Sequence, residues 1–202
     1  MKYISIDIET TGLNPSTSQI LEFAAVVEDT AAAYIPVESL AYFRRVVDHD
    51  ILGEDNNDNI YGAPFALQRN AKLLLEIAES RTECKNGGIR RDQHVDTLIT
   101  MCKDFKLFLD SLDTKEPLVI AGKNFGSFDW QFLERAFRIA QIRISHRFLD
   151  PAILYTNFSM DMVLPDMNEC LKRAGYNNIV KHEALQDARD VIYVLRNFYA
   201  ND

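Results

Sequence analysis

Lys2-Tyr3-Ile4-Ser5-Ile6-Asp7-Ile8-Glu9 alternates two kinds of side chain, with Ile4, Ile6 and Ile8 on one face and Ser5, Asp7 and Glu9 on the other. A period of two is that of a β-strand, so residues 2–9 are expected to form one. The stretch is apolar enough for a central strand, whose polar face is not freely solvated. Asp7 and Glu9, two apart, then project side by side from that face. Two like charges so placed repel unless a cation lies between them. The alternative is that both acids end the strand in solvent.

Working outward, residues 19–28 and 41–47 are further strand candidates, and turn chemistry at Gly12–Ser16 makes the first pair an antiparallel meander. Residues 48–62, rich in Asn, Asp and Gly, predict an exposed loop. Residues 66–78 and 95–112 carry helical patterns, divided by the polar stretch 82–93. Leu118–Ala121 reads as a short apolar strand followed by a helix through about Ile139. Phe148–Asp150 suggests a last short strand, and helices are expected over 166–174 and 184–199. Strands first, then strand and helix alternating, give an α/β fold with a mixed sheet. There is no internal repeat, and 202 residues fit one domain spanning 1–202.

The composition, 47% hydrophobic and 26% charged, is that of an ordinary globular protein. Cys84, Cys102 and Cys170 have no regular spacing, which argues against a disulfide framework or a zinc site and for a reducing compartment. The N-terminal run contains acids, unlike a signal peptide, and no apolar stretch approaches the ~18 residues of a membrane span. A cytoplasmic protein without a membrane partner is expected; a homodimer is compatible with the sequence but not indicated by it. The net charge of −8 lacks the basic footprint of a nucleic-acid binder. That objection weakens if acids hold metal, because two divalent cations bring four positive charges to the place where a phosphate must sit.

Two further acids stand where solvated acids do not belong. Asp129 lies three and four positions before Phe132 and Leu133, on a stripe continued by Ala136, Phe137 and Ala140. Asp187 lies four before Val191, in line with Leu195 and Phe198. A carboxylate on a buried stripe costs several kcal/mol unless it is paired or coordinates a metal. Arg135, Arg138 and Arg189 are the basic residues within reach of these acids. Convergence of Asp7, Glu9, Asp129 and Asp187 from three segments fits a hard cation, since Mg²⁺ prefers carboxylate and water oxygens. His182, five before Asp187, would differ from it by about 140° on one helix, so a place just ahead of the helix start is expected.

These residues fall into three motifs. Asp7-Ile8-Glu9-Thr10-Thr11-Gly12, Asn124-Phe125-Gly126-Ser127-Phe128-Asp129 and His182-Glu183-Ala184-Leu185-Gln186-Asp187-Ala188 resemble, in order, the three motifs of the DEDDh exonucleases. That family includes proofreading subunits of replicative DNA polymerases, RNase T and oligoribonuclease. The resemblance implies an RNase H-like fold, a five-stranded mixed sheet flanked by helices. It implies 3′→5′ exonuclease activity on the 3′ end of single-stranded DNA or RNA, releasing nucleoside 5′-monophosphates. Two Mg²⁺ or Mn²⁺ ions would be held at Asp7, Glu9, Asp129 and Asp187, with His182 as general base. It assigns terminal-nucleotide contacts to Thr10, Gly12, Leu13 and Phe128, with Leu13 and Phe128 packed on the end base, and matches Asn124 to a family asparagine near the site. Ordinary helix core is the other reading of Phe128, and Glu22 is either a support of the site or a plain strand residue. Asn124 and Asp129 are five apart, as in oligoribonuclease, which keeps an oligoribonuclease-like activity on very short RNA as the alternative. A catalytically silent binding module of the same fold is another, although none of the four acids is missing. Arg69, Lys72, Arg90 and Arg91 are candidates to line a strand path.

Overall fold

The computed structural model describes residues 1–48, 59–85, 95–177 and 179–200. Its frame is a six-stranded mixed sheet. The strands are β1 (Lys2–Thr10), β2 (Ile20–Asp29), β3 (Tyr42–Val47), β4 (Val95–Asp96), β5 (Leu118–Ala121) and β6 (Ile144–Leu149). Across the sheet they run β4-β3-β2-β1-β5-β6. The first three form the expected antiparallel meander. The other strands join in parallel, β5 beside β1, β6 beside β5 and β4 beside β3. β1 is therefore central, as its apolar face requires.

Helices cover both faces. They are α1 (Pro64–Arg69), α2 (Ala71–Lys85), α3 (Leu98–Ser111), α4 (Asp129–Ile139), α5 (Pro151–Leu154), α6 (Met167–Arg173) and α7 (Ala184–Ala200). Ile4, Ile6 and Ile8 pack with Phe23, Phe43, Phe105, Leu133 and Phe137 on the side of α3 and α4. Tyr3 and Val26 face the other way, against Leu171 of α6 and Ala188, Val191 and Leu195 of α7. The polar face of β1 thus looks toward α7. Near the far end of α7, Arg196 Nη2 lies 2.6 Å from a carboxylate oxygen of buried Glu28 and fixes the helix across β2.

Several boundaries differ from the sequence expectation, each for a local reason. The sheet has a sixth strand because Val95 and Asp96 pair with Val46 and Val47 instead of starting a helix. The hydroxyl of Thr97 accepts the amide of Thr100 at 3.2 Å, so α3 begins at Leu98. The helix expected over 66–78 is broken at Asn70, whose side chain turns inward to donate to the Thr10 carbonyl at 3.1 Å. Asp48, expected in an exposed loop, is buried and bound by Arg81 at 2.6 and 2.9 Å. Residues 49–58 of that loop and 86–93 of the polar stretch lie outside the described residues, whereas 82–85 continue α2. β6 begins at Ile144, earlier than expected, and Asp150 ends it by capping α5 through the Ala152 amide at 2.9 Å. Among the described residues no helix is long and apolar enough to cross a membrane.

Phe23 is fully buried and meets the rings of Phe43, Phe105 and Phe137 with centroids 5.0–6.2 Å apart. Phe23→Ala should lower the urea unfolding free energy by about 3–5 kcal/mol, the cost of an aromatic-sized core cavity. A loss under about 1 kcal/mol would show that this cluster does not hold the sheet to α3 and α4.

Candidate active site

At its C-terminal end β1 carries Asp7 and Glu9 on the face turned toward α7. Glu22 of β2 stands directly across from Glu9 in the strand register. Asp129, the first residue of α4, comes from the segment that follows β5 and is 3% exposed. Asp187 lies in the first turn of α7 and His182 just ahead of that helix, in a left-handed backbone conformation at φ 57°. The fold therefore brings the four acids and the histidine to one end of β1.

The proximity of the acids shows in their proton affinities. Burial, and then the charges of Asp129, Asp187, Glu9 and Glu22, push Asp7 well above the usual carboxylate range. Burial and then Asp187 raise Glu9 to about 8, against the pull of an Asn70 hydrogen bond and the Arg69 charge. Burial raises Asp129 to about 7, although its own N–H and that of Ile8 favour the anion. Asp187 also rises to about 7, from burial and the charges of Asp190 and Glu183, despite the N–H groups of His182 and Lys181. Its Oδ1 is buried and has no hydrogen-bond partner among the described residues. The arginines weighed as partners do not neutralise the cluster. Arg138 pairs with Glu134 at 2.6 Å on the surface, Arg189 stacks over Tyr42, and Arg135 is exposed.

Neutral at ordinary pH, His182 is pushed down by burial and by the Arg69 charge. Arg69 Nη1 lies 3.2 Å from His182 Nδ1. Guanidinium can only donate, so Nδ1 accepts and the ring proton sits on Nε2. The 4.0 Å approach of Nδ1 to Asp187 Oδ2 is accordingly not a salt bridge. Single ligand atoms of Glu9, His182 and Asp187 all fall within 4.8 Å of one another, close enough for one ion. Carboxylate oxygens in this density, one of them buried without a partner, fit a divalent cation.

Two side chains hold this geometry. Glu22 is an ion-pair partner of Arg44, and its other oxygen accepts the amide of Ala184 at 3.0 Å, which fixes the first residue of α7. This supports the first of the two readings of Glu22. Asn70 donates to the Thr10 carbonyl at 3.1 Å and lies against the Glu9 carboxylate, lowering its proton affinity. Nothing in its spacing marks Asn70 in the sequence, where it continues an apparently helical run. Behind it, a cavity of about 300 Å³ is lined by Arg69, Asn70, Lys72, Lys181 and His182 among others.

The residues assigned to nucleotide contacts are placed unevenly. Thr10 spends its hydroxyl on the Gly12 carbonyl at 2.8 Å. Gly12 is buried, and a Cβ there would come 2.7 Å from Ser18 Oγ, so a larger residue would have to turn that hydroxyl away. Leu13 projects from this turn, 83% exposed. Phe128 is half-buried and packs on Phe132 with centroids 5.2 Å apart, which fits its reading as core. Asn124, at φ 61°, shapes the turn before α4: its N–H donates to Asp150 at 3.0 Å, and its carbonyl accepts the amides of Ser127 and Phe128. Arg90 and Arg91 lie outside the described residues.

Sheet order and helical layers define an RNase H-like α/β fold. No protein-family model and no curated protein sequence matches the chain. Solved structures match at the level of fold. Cell-death related nuclease 4 is 13% identical with a TM-score of 0.67, over 99% of this chain and 64% of that one. The zinc-bound form of Escherichia coli exonuclease I in complex with single-stranded DNA is 15% identical with a TM-score of 0.62, over 99% of this chain and 40% of that one. The same enzyme with a dA16 oligonucleotide gives 15% and 0.60, over 99% and 41%. This chain thus spans less than two thirds of the chain in each of these three structures.

The raised carboxylates link stability to pH. A group whose affinity for protons is higher in the folded state favours the fold at low pH, and the benefit is lost as pH rises from about 4 to its folded value. For Asp129 and Asp187 that window closes near about 7, and for Glu9 near about 8. In EDTA the melting temperature should fall between pH 5 and 9. Asp129→Asn should melt higher than wild type at pH 8 and show a shallower fall. A wild-type melting temperature that rises across this range would contradict the crowding of unneutralised acids.

Proposed function

We propose that the chain is a 3′→5′ exonuclease of the DEDDh type, hydrolysing single-stranded DNA or RNA from its 3′ end to nucleoside 5′-monophosphates. The observation that carries this reading is the convergence of Asp7, Glu9, Asp129 and Asp187 at one end of β1, with proton affinities raised by burial and, for Asp7, Glu9 and Asp187, by neighbouring acids. The Arg69 charge offsets this crowding only in part, leaving Glu9 at about 8, and nuclease active sites are built to let metal ions complete the neutralisation. The motif order agrees, as does a fold shared with nucleases, one of them seen with single-stranded DNA and zinc. Asp7, Glu9, Asp129 and Asp187 would hold two Mg²⁺ or Mn²⁺ ions. These ions supply charge stabilisation for the attacking and leaving oxygens of an in-line phosphoryl displacement.

The chain's own groups do the rest. His182 is uncharged at neutral pH and lies at the edge of the acids, which suits it to take a proton from the attacking water. Glu22 positions it by fixing the start of α7, and Asn70 keeps the Glu9 carboxylate oriented. Leu13, exposed on the turn after Thr10, offers an apolar surface to a terminal base.

End-labelled single strands of DNA and RNA, from dinucleotides upward, incubated with Mg²⁺, Mn²⁺ or EDTA, test activity, direction and length preference together. Shortening from a free 3′ end is expected only with metal, and degradation of a 3′-blocked strand at the normal rate would refute the direction. Activity confined to dinucleotides and very short RNA would select the oligoribonuclease-like alternative, and binding without cleavage the silent module.

Asp129→Asn and Asp187→Asn should each abolish turnover; wild-type rates in either would remove the metal-site assignment. His182→Ala should lose about 10²–10⁴-fold in kcat, the usual worth of a general base. Calorimetry should find its Mn²⁺ affinity little changed, because the carboxylates hold the ions; a large loss would make the imidazole beside Glu9 and Asp187 a ligand and not the base. A rate within a few-fold of wild type would mean that His182 does not act as the base.

A further inference from the structure

The segment after β3 builds a wall of the site that the acids and His182 do not account for. Gly62 and Ala63 run along the end of β1, with the Ala63 amide donating to the Thr11 carbonyl at 2.7 Å. A Cβ on Gly62 would come 2.3 Å from that carbonyl oxygen, so the approach is as close as backbones allow. From there α1 carries Phe65 and Arg69, one helical turn apart and on one face. The Arg69 guanidinium sits over the Phe65 ring at 4.5 Å, and Phe65 is 67% exposed.

Arg69 is exposed and forms no ion pair among the described residues, and the same holds for Lys72 and Lys181 across the cavity beside it. Arg44, by contrast, is tied to Glu22 and Glu76. In a chain of net charge −8, a cavity where Arg44, Arg69, Lys72 and Lys181 outnumber Glu22, Glu76 and Glu183 is a local exception. The hydrogen bond that Arg69 does make, to His182 Nδ1, is one that a phosphate oxygen can outcompete, because an anionic acceptor makes the stronger, charge-assisted bond.

Resting on the exonuclease reading, we infer that Arg69 receives a backbone phosphate of the single strand beside the cleavage point and, in turning to it, uncovers Nδ1 of His182. Phe65 is the stacking surface for the adjoining base. Without a strand, the guanidinium occupies the nitrogen lone pair. With a strand, that lone pair is free to accept a hydrogen bond from water, and the ring keeps its proton on Nε2. Arg69 is thus a substrate-binding residue that also positions the histidine, coupling its availability to the presence of substrate.

Binding can be measured without turnover, by fluorescence anisotropy of a labelled single-stranded thymidine oligonucleotide with Ca²⁺ in place of Mg²⁺, the probe being recovered intact. Arg69→Gln should weaken binding roughly tenfold, the worth of one charged contact. It should also reduce the slope of log affinity against log salt by about 0.7, the contribution of one neutralised phosphate on a single strand. Arg69→Lys should restore the slope, and Phe65→Ala should weaken binding without changing it, because stacking carries no charge. Ring ¹⁵N shifts of His182 should move when the oligonucleotide binds wild type, and in Arg69→Gln should lie near that position from the start. An unchanged salt slope in Arg69→Gln, with wild type binding normally, overturns the role of Arg69 and leaves the nuclease reading standing. A wild-type protein that binds no single strand overturns both.

Discussion

Mutual repulsion among carboxylates is the constraint on which this molecule turns. Asp7 sits within the fields of Asp129, Asp187, Glu9 and Glu22, in a place where burial already disfavours charge. In water such charges would be separated and screened; at the end of a central strand they are neither. The folded chain answers this in part with protons, holding Asp129 and Asp187 near pH 7 as weak acids. A site half-neutralised by protons at physiological pH is also one ready to exchange them for divalent cations, because metal and proton compete for the same oxygens.

The rest of the structure resists the tendency of this end to spread apart. Apolar packing on both faces of β1 supplies the bulk of the holding force, and a few polar bonds set the direction of each acid. Glu22 is the most economical of these. One oxygen meets Arg44 and the other meets the first amide of α7, so one buried carboxylate neutralises a cation of β3 and anchors the helix that carries Asp187. Arg196 and Glu28 repeat the arrangement further along α7. With both ends tied, α7 cannot slide to relieve the crowding, and the acids stay in register with β1.

Much of this was legible in the sequence because it follows from periodicity. Alternation in residues 2–9 gave β1 and its two-acid face, and the helical stripe after Gly126 put Asp129 on the buried side of α4. The mismatch of 140° between His182 and Asp187 placed the histidine ahead of α7, where it lies. What escaped reading depends on contacts between distant segments. Val95 and Asp96 form a strand only because β3 offers them an edge, and no two-residue pattern announces that. Asn70 looks like one more polar position in a helix until the chain breaks there to reach Thr10 and Glu9. Arg69 was visible as a cation near the site, yet its hold on His182 spans 113 residues and belongs to the tertiary structure alone. The polar neighbours of Asp48 suggest a loop, whereas its partner Arg81 lies a helix away.

The long reach of these bonds governs when, as well as where, the acid cluster exists. The Glu22 bond to Ala184 closes a span of 162 residues, and the Arg196 bond to Glu28 one of 168. During synthesis, β1, β2 and β3 emerge with Asp7 and Glu9 long before α7 arrives with His182 and Asp187. Contacts of such separation form late, after the local elements have collapsed. Until then the young chain lacks the helix that adds Asp187 to Asp7, Glu9 and Asp129, so the crowding is completed only when most of the core is already present to oppose it. Assembly order thus protects folding from the electrostatic cost of the finished site, and a ribosome-bound chain short of α7 holds an incomplete and chemically harmless set of groups.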